Sequence, residues 1–151
     1  MTGRCLPAGR YGVDDVAIGD WIETATATIT ADMIDQFAAL SGDHFEIHMQ
    51  DSAAKAHGFD RRVAHGLLIL SMVDGLKNQT PAQFKAQASL GWDWSFRAPV
   101  LLGDEISARL SVMEKTNISD PARGILTIGF EVKNQRRELV QEGQNRLMAY
   151  R

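Results

Sequence analysis

The feature that most constrains the fold is an apolar segment of helical length that follows Ala64. It reads AHGLLILSMVDGLKNQ and leaves almost no polar face. A helix that is apolar nearly all round is a buried one, and the run continues too far for a strand. The rest of this 151-residue chain is therefore expected to wrap the helix, and a second subunit is a candidate for part of that cover.

Strand patterns dominate the chain after this helix. Alternating or aromatic-rich stretches predict strands at residues 89–96, 105–116, 124–133 and 139–150, with turns between them. Consecutive strands joined by short turns favour an antiparallel sheet. The sequence thus predicts an α+β fold in which an antiparallel sheet curls around one long central helix.

The chain before the central helix is predicted to hold smaller elements. Residues 21–28 suit a first strand, and Thr30 and Gly42 suit the N-cap and the C-terminal glycine of a helix. Residues 43–48 are predicted to be a loop and 52–57 a short helix. Residues 1–15 are predicted to form a loose N-terminal arm of a single domain that spans residues 1–151.

Composition excludes several classes of function. The net charge is −3 and the basic residues are scattered, so nucleic acid is not an expected partner. No apolar run approaches the ~20 residues needed to cross a bilayer, so no membrane association is expected. The N-terminus lacks the apolar core of a signal peptide, and the one cysteine, Cys5, has no internal partner for a disulfide. A cytoplasmic location is the prediction.

Asp43 and His48 form the first candidate for chemistry. A carboxylate and an imidazole that share one water are able to activate it and to return a proton, which is what hydration of a double bond beside a carbonyl needs. The plainer interpretation is that Asp43 caps a turn and His48 lies on a surface loop. The five-residue spacing alone favours that plainer interpretation.

Gly66 stands at the head of the apolar helix. Addition to a conjugated thioester places negative charge on the thioester oxygen, and backbone N–H groups at a helix N-terminus are natural donors to such charge. Glycine also permits a ligand to approach the backbone closely. Otherwise, His65 and Gly66 merely begin a tightly packed helix, which is the more economical interpretation of that pair alone.

Three further features have structural interpretations that outweigh the functional ones. His44 and His48 with Asp43, His57 and His65 nearby raise the hypothesis of a metal site, but the pair lies in a predicted loop, and no metal is expected. Three aromatic residues share one face of the strand at 89–96 and are assigned to the core rather than to a ligand platform. The Arg61-Arg62 pair is assigned to a solvated loop, with the phosphates of a carrier group as the alternative.

Together these segments resemble the MaoC-like dehydratases, which include the (R)-specific enoyl-CoA hydratases. The family motif runs Gly-Asp-x-Asn-Pro-x-His, then a phenylalanine, then Ala-His-Gly at the start of the central helix. This chain supplies matching residues at Gly42, Asp43, His48, Phe59 and 64–66. A later FRAPV followed by GD, residues 96–104, also resembles a strand of the family.

The resemblance implies a hot-dog fold, with the sheet as the bun and the helix as the sausage, and a homodimer or a multiple of dimers. It implies that Asp43 and His48 are catalytic and hold a water between them, and that Gly66 and the adjacent His65 bind the substrate oxyanion. Phe45 and Glu46 replace the motif's Asn-Pro, and Asp74 replaces a serine. We expect Phe45 to narrow the pocket and Asp74 to point into it.

The function that follows is reversible addition of water to a 2-enoyl-CoA thioester, giving a 3-hydroxyacyl-CoA. No metal or redox cofactor is expected, and coenzyme A enters only as part of the substrate. Two other functions on the same fold stay open at this stage. One is an acyl-CoA thioesterase, and the other is a non-catalytic subunit that binds acyl groups.

Overall fold

The computed structural model describes residues 3–151. Its helices are α1 (Ala31–Ser41), α2 (Glu46–Met49), α3 (Asp51–Ala56) and α4 (Gly66–Lys77), and a single 3-10 turn spans Val13–Asp15. Its strands are β1 (Gly9–Tyr11), β2 (Trp21–Glu23), β3 (Ala27–Thr28), β4 (Ala82–Phe84), β5 (Ala86–Phe96), β6 (Glu105–Asn117), β7 (Arg123–Lys133) and β8 (Leu139–Tyr150). Within residues 3–151, no helix has the length and apolar character to cross a membrane.

The main sheet is antiparallel and forms one wall around α4. Its strands follow the order β2-β6-β7-β8-β5, and β3 pairs with the start of β6. The alternation predicted from sequence is confirmed, because Ile106, Ala108, Leu110 and Val112 of β6 are all buried. They share one core with the buried side chains of α4: Leu68, Ile69 and Val73. The predicted α+β fold, a sheet around a long central helix, is confirmed.

The helix that precedes the site is bounded by the predicted caps. Thr30 Oγ1 accepts a hydrogen bond from the Met33 N–H at 3.2 Å, which satisfies one of the free donors at the start of α1. Gly42 adopts a left-handed φ of 81° and donates its N–H to the Ala38 carbonyl at 2.8 Å. This left-handed turn ends α1 and sends the next residue, Asp43, away from the helix axis.

The N-terminal segment is packed rather than loose, which corrects one prediction. The backbone of Cys5 forms an isolated β-bridge with that of Trp21, and Leu6 is buried in the core. Strand β1 pairs in parallel with β4. These are tertiary pairings between distant residues, and short strands of this kind carry no periodic signal. Met1 and Thr2, the start of the predicted arm at residues 1–15, lie outside the described residues.

Two other boundaries differ from the sequence prediction. The strand predicted at 21–28 is two short strands, β2 and β3, and the loop predicted at 43–48 ends in the one-turn helix α2. The central helix begins at Gly66, as predicted. A single helical turn has too few residues to show a period, which explains why α2 was not predicted.

One face of α4 remains uncovered in the single chain. Leu67 is 60% exposed and Ser71 is exposed, although the sequence predicted burial all round. The edge strand β5 also carries exposed apolar side chains, at Leu90 and Phe96. Two of these apolar side chains, Leu67 and Phe96, line the cavity of the candidate site.

Candidate active site

A cavity of about 560 Å³ opens at the N-terminal end of α4. Its walls come from the segment after α1, the end of β5 and the chain that follows it. Its lining residues are mostly apolar: Phe59, Val63, Ala64, Leu67, Ile69, Phe96, Ala98, Pro99 and Val100. Its polar lining residues are Asp43, His48, His65, Arg97 and Gln141. The cavity therefore combines an apolar wall with a small polar cluster at one end.

Asp43 serves two purposes with its two carboxylate oxygens. Oδ1 accepts a hydrogen bond from the Phe45 N–H at 3.1 Å, which closes the turn after α1. Oδ2 lies 3.9 Å from His48 Nε2. The plain interpretation of Asp43 as a turn cap and its interpretation as one half of a dyad are therefore both compatible with this geometry.

His48 is buried, and its tautomer follows from its contacts. Its Nδ1 lies 2.7 Å from the Val63 carbonyl oxygen, which only accepts, so Nδ1 carries the proton. In the neutral ring, Nε2 then has a free lone pair on the side of Asp43. The 3.9 Å from Nε2 to Asp43 Oδ2 is too long for a direct hydrogen bond and leaves space for a bridging water.

The surroundings of His48 favour the neutral imidazole. Burial lowers the pKa of His48 below its ordinary value of 6.5, and the nearby His65 and Arg62 lower it further. The Val63 carbonyl and the Asp43 carboxylate oppose this shift by favouring the protonated ring, but the pKa stays lowered. A neutral His48 has a free lone pair at Nε2 and is therefore able to accept a proton near neutral pH.

Gly66 is the first residue of α4 and lines the cavity. The first N–H groups of a helix have no intrahelical partner, and no side chain caps this one. A Cβ on Gly66 would lie 2.5 Å from the Phe96 ring, so any larger residue would have to displace that ring. An uncapped helix N-terminus close to Asp43 and His48 has the chemistry to donate hydrogen bonds to a negatively charged oxygen.

His65 is stacked beneath the dyad. Its ring lies 3.9 Å from the His48 ring, at an angle of 28°. Its Nε2–H donates to the Asp43 carbonyl oxygen at 2.9 Å, while Nδ1 is buried without a hydrogen-bond partner. With a residue exposure of 2%, His65 has little surface to offer a substrate. Its contacts are those of a residue that holds Asp43 and His48 in place.

The side chains of Asp43, His48 and His65 lie close together, as the ligands of a metal site would. One ligand atom from each of Asp43, His48 and His65 lies within 4.8 Å of the others. An imidazole binds metal in its ring plane, but these two rings are stacked, so their lone pairs run alongside each other instead of converging. Each ring also has one nitrogen bonded to a backbone carbonyl. The arrangement suits a hydrogen-bonded network, and the expectation of no metal stays a prediction.

Comparison with known proteins assigns the family. Residues 15–134 match the family model described as the MaoC like domain. The chain belongs to the MaoC-like family. It is 38% identical over 76 residues to the (R)-specific enoyl-CoA hydratase of Aeromonas caviae, a match that covers 50% of this chain and 56% of that protein. The curated relatives are matched over 33% to 65% of their own lengths.

Solved structures of the MaoC-like family and its fold superpose well on this chain. The MaoC-like dehydratase from Rhodospirillum rubrum is 27% identical, with a TM-score of 0.84, covering 93% of this chain and 97% of that one. A Mycobacterium tuberculosis protein with a double hot-dog fold is 17% identical, with a TM-score of 0.81, covering 96% of this chain and 46% of that one. The predicted hot-dog fold is confirmed.

The Phe45-Glu46 departure from the MaoC-like motif lies outside the cavity. Phe45 is 52% exposed and sets its ring edge-on to the rings of His48 and His57. Glu46 Oε1 lies 2.9 Å from His57 Nε2. Phe45 does not line the cavity, which corrects the expectation that it narrows the pocket. It packs against the outer edge of His48 instead.

Asp74 is not part of the site in this chain. Its carboxylate lies 2.9 Å from Lys77 Nζ, its side chain is 44% exposed, and it does not line the cavity. Asp74 lies eight positions after Gly66 in α4, which is about 12 Å of helix. The expected placement of Asp74 toward the pocket is therefore wrong. The physical reason is its place more than two turns along α4, since the cavity opens at the first turn of that helix.

Two residues of the site were missed in the sequence. Gln141 is buried, accepts a hydrogen bond from Trp94 Nε1 at 2.8 Å and donates to the Gly66 carbonyl at 3.1 Å. Phe96, which the sequence assigned to the core with Trp92 and Trp94, is instead 57% exposed and covers Gly66, whereas the two tryptophans pack on Phe130 in the core. The signal for Gln141 was a polar residue at an inward position of an alternating strand, where burial demands a partner.

Proposed function

We propose that this MaoC-like chain is a carbon–oxygen lyase that adds water reversibly to the 2,3-double bond of a 2-enoyl-CoA thioester. The product is a 3-hydroxyacyl-CoA. The observation that carries the proposal is the 3.9 Å separation of Asp43 Oδ2 and His48 Nε2 beside an uncapped helix N-terminus. It supports a water held by the dyad next to a donor for the thioester oxygen.

The proposed chemistry balances without a cofactor. The dyad of Asp43 and His48 takes a proton from the bridging water while the oxygen of that water forms a bond to C3. The π electrons of the double bond move onto the thioester, and the resulting enolate oxygen accepts a hydrogen bond from the Gly66 N–H. The dyad then returns one proton to C2, so that H and OH have been added and nothing is oxidised or reduced. The expectation of no cofactor remains untested.

The cavity walls support an apolar acyl group as the substrate tail. Side chains such as Leu67, Ile69, Phe96 and Val100 offer no partner for a polar tail. Arg97, the one cation among the lining residues, lies 2.8 Å from the Glu142 carboxylate and is thereby partly neutralised. We therefore propose unbranched or simply branched enoyl groups on coenzyme A as the first substrates to test.

The test is to incubate the purified chain with a panel of 2-enoyl-CoA esters and to follow enoyl absorbance and free thiol in parallel. The proposal predicts loss of enoyl absorbance and formation of 3-hydroxyacyl-CoA with no release of thiol. Release of thiol would identify a thioesterase instead. No change in either signal across the panel would contradict the proposed lyase activity.

A further inference from the structure

We propose that Arg62 is a positioning residue for His48, acting through the His48 carbonyl oxygen and through its own positive charge. The inference rests on the proposed function, because it concerns the dyad of that site. The Arg62 side chain is only 13% exposed, although the sequence placed it in a solvated loop. Its role is separate from that of Arg61, which bonds to the Leu102 carbonyl and to Asp104.

The need for a positioning residue follows from the length of α2. His48 sits on a helix of four residues, and a single turn is not stable without tertiary contacts. No side chain caps α2 at its start. The direction of the His48 imidazole therefore depends on the groups that hold α2 from outside.

Those groups come from two consecutive residues, Arg62 and Val63. Arg62 Nε donates to the His48 carbonyl at 2.6 Å. The Val63 N–H donates to the Ile47 carbonyl at 3.0 Å, and the Val63 carbonyl accepts the imidazole proton at 2.7 Å. Both the backbone and the ring of His48 are thus fixed by one short segment.

Arg62 also anchors this segment to the helices on either side of α2. One terminal guanidinium nitrogen donates to Asp35 of α1 at 2.5 Å. The Arg62 N–H donates to Asp51 of α3 at 2.8 Å. A guanidinium is able to donate in two fixed directions at once, whereas the single ammonium of lysine has no such fork. Arginine is therefore the residue type that this position requires.

The charge of Arg62 acts on the same imidazole. The charged and titratable groups that face His48 are Asp43 from the segment after α1, His65 before α4, and Arg62, with Asp35 paired to Arg62 behind it. Arg62 and His65 lower the pKa of His48, while Asp43 raises it. Removal of the Arg62 charge should therefore raise the pKa of His48.

The experiment compares Arg62→Gln, Arg62→Lys and the neighbouring control Arg61→Gln in the full chain. The pKa of His48 is measured by NMR titration of labelled imidazoles, with His48→Gln used for assignment, and kcat and KM are measured on an enoyl-CoA ester. For Arg62→Gln we expect the pKa to rise by a few tenths of a unit. We expect its kcat to fall about tenfold or more with little change in KM.

The other two variants separate geometry from charge. Arg62→Lys keeps the charge, so the pKa of His48 should stay near its wild-type value while kcat still falls. Arg61→Gln should lower stability, because it removes a partner of the fully buried Asp104, without moving the pKa of His48. If Arg62→Gln does not fold, the kcat of Arg62→Lys tests the positioning role: a lowered kcat supports it, and a wild-type kcat contradicts it.

An unchanged His48 pKa in Arg62→Gln, together with a kcat within about twofold of wild type in both Arg62 variants, would overturn the inference. A wild-type chain that is inactive on every enoyl-CoA ester would instead contradict the proposed function. In that case the NMR titration still tests the influence of Arg62 on His48. The two failures are therefore distinguishable.

Discussion

At the scale of single residues, Asp43 illustrates why spacing alone was not decisive. One of its oxygens closes the turn after α1, and the other faces His48. The sequence alone does not distinguish an aspartate that caps a turn from a catalytic one. Here the same side chain has the geometry for both roles. Asp43→Asn should keep the capping oxygen and lose the charge, which makes it the cleanest variant of the site.

The lowered pKa of His48 predicts a pH dependence. If the neutral imidazole accepts the proton of water, kcat/KM should fall as the pH drops through a value below 6.5. The unfolded chain binds this proton near the ordinary value, so the free energy of unfolding should also decrease as the pH falls below 6.5. A pH–rate profile and denaturant titrations measure the two effects. An acid limb well above 6.5 would argue against His48 as the base.

Gly66→Ala tests the close contact between Gly66 and Phe96. The added Cβ would meet the ring at 2.5 Å, and Phe96, which is 57% exposed, has room to swing away. We expect the variant to fold and kcat/KM to drop about tenfold or more, because the donor site becomes obstructed. A separate variant, Phe96→Ala, shows how much of the loss comes from the absence of the ring in its normal place and how much from obstruction of the donor site by the added Cβ. Full activity in Gly66→Ala would count against the oxyanion role.

At the scale of elements, the sequence predicted what local patterns encode. The caps of α1 and the long strands β5 to β8 follow from residue types and alternation, and the structure confirms them. No local sequence pattern predicts strands β1 and β4 or helix α2, because they depend on contacts with distant segments. Asp74 was misplaced because a motif alignment gives a position in the helix but not which part of the helix borders the cavity, and Asp74 pairs with Lys77 outside it.

Gln141 connects three elements, and its replacement should affect both stability and activity. Gln141→Leu leaves Trp94 Nε1 without its acceptor and removes a bond to the Gly66 carbonyl. We expect a loss of about 1–3 kcal/mol in the free energy of unfolding. We also expect a lower kcat, since the start of α4 is less firmly held.

The matched control is Asn145→Leu, a buried amide further along β8 that bonds to Ser89 and Gly91. It should cost a comparable amount of stability and leave kcat unchanged. Denaturant unfolding and steady-state kinetics on both variants provide the comparison. Equal effects of the two substitutions on kcat would remove Gln141 from the support of the site.

At the scale of the whole molecule, apolar surface remains exposed on β5 and on α4. Strand β5 is at an edge of the main sheet and exposes Leu90 and Phe96, and α4 exposes Leu67. An uncovered edge with apolar side chains is commonly completed by a second subunit. The resemblance to MaoC-like proteins predicted such a dimer, and the exposed edge supports that prediction.

We therefore expect a dimer or a multiple of dimers in sedimentation velocity at micromolar concentration. Leu90→Lys on the edge strand should shift the population toward monomer, because it places a charge in the expected interface. Leu40→Lys, at a residue on α1 that is 86% exposed, is the control and should leave the assembly unchanged. A stable wild-type monomer would contradict the expected assembly.

The central claim is that Asp43 and His48 act as one catalytic unit, and a double-mutant cycle on the true enoyl-CoA substrate tests it most directly. Asp43→Asn and His48→Gln should each reduce kcat by roughly a thousandfold or more, and the double variant should lose little beyond either one. Both retain side chains that are able to hydrogen-bond at these positions, so circular dichroism should report folded protein. Near-normal turnover in Asp43→Asn, or losses that simply multiply in the double variant, would contradict the claim.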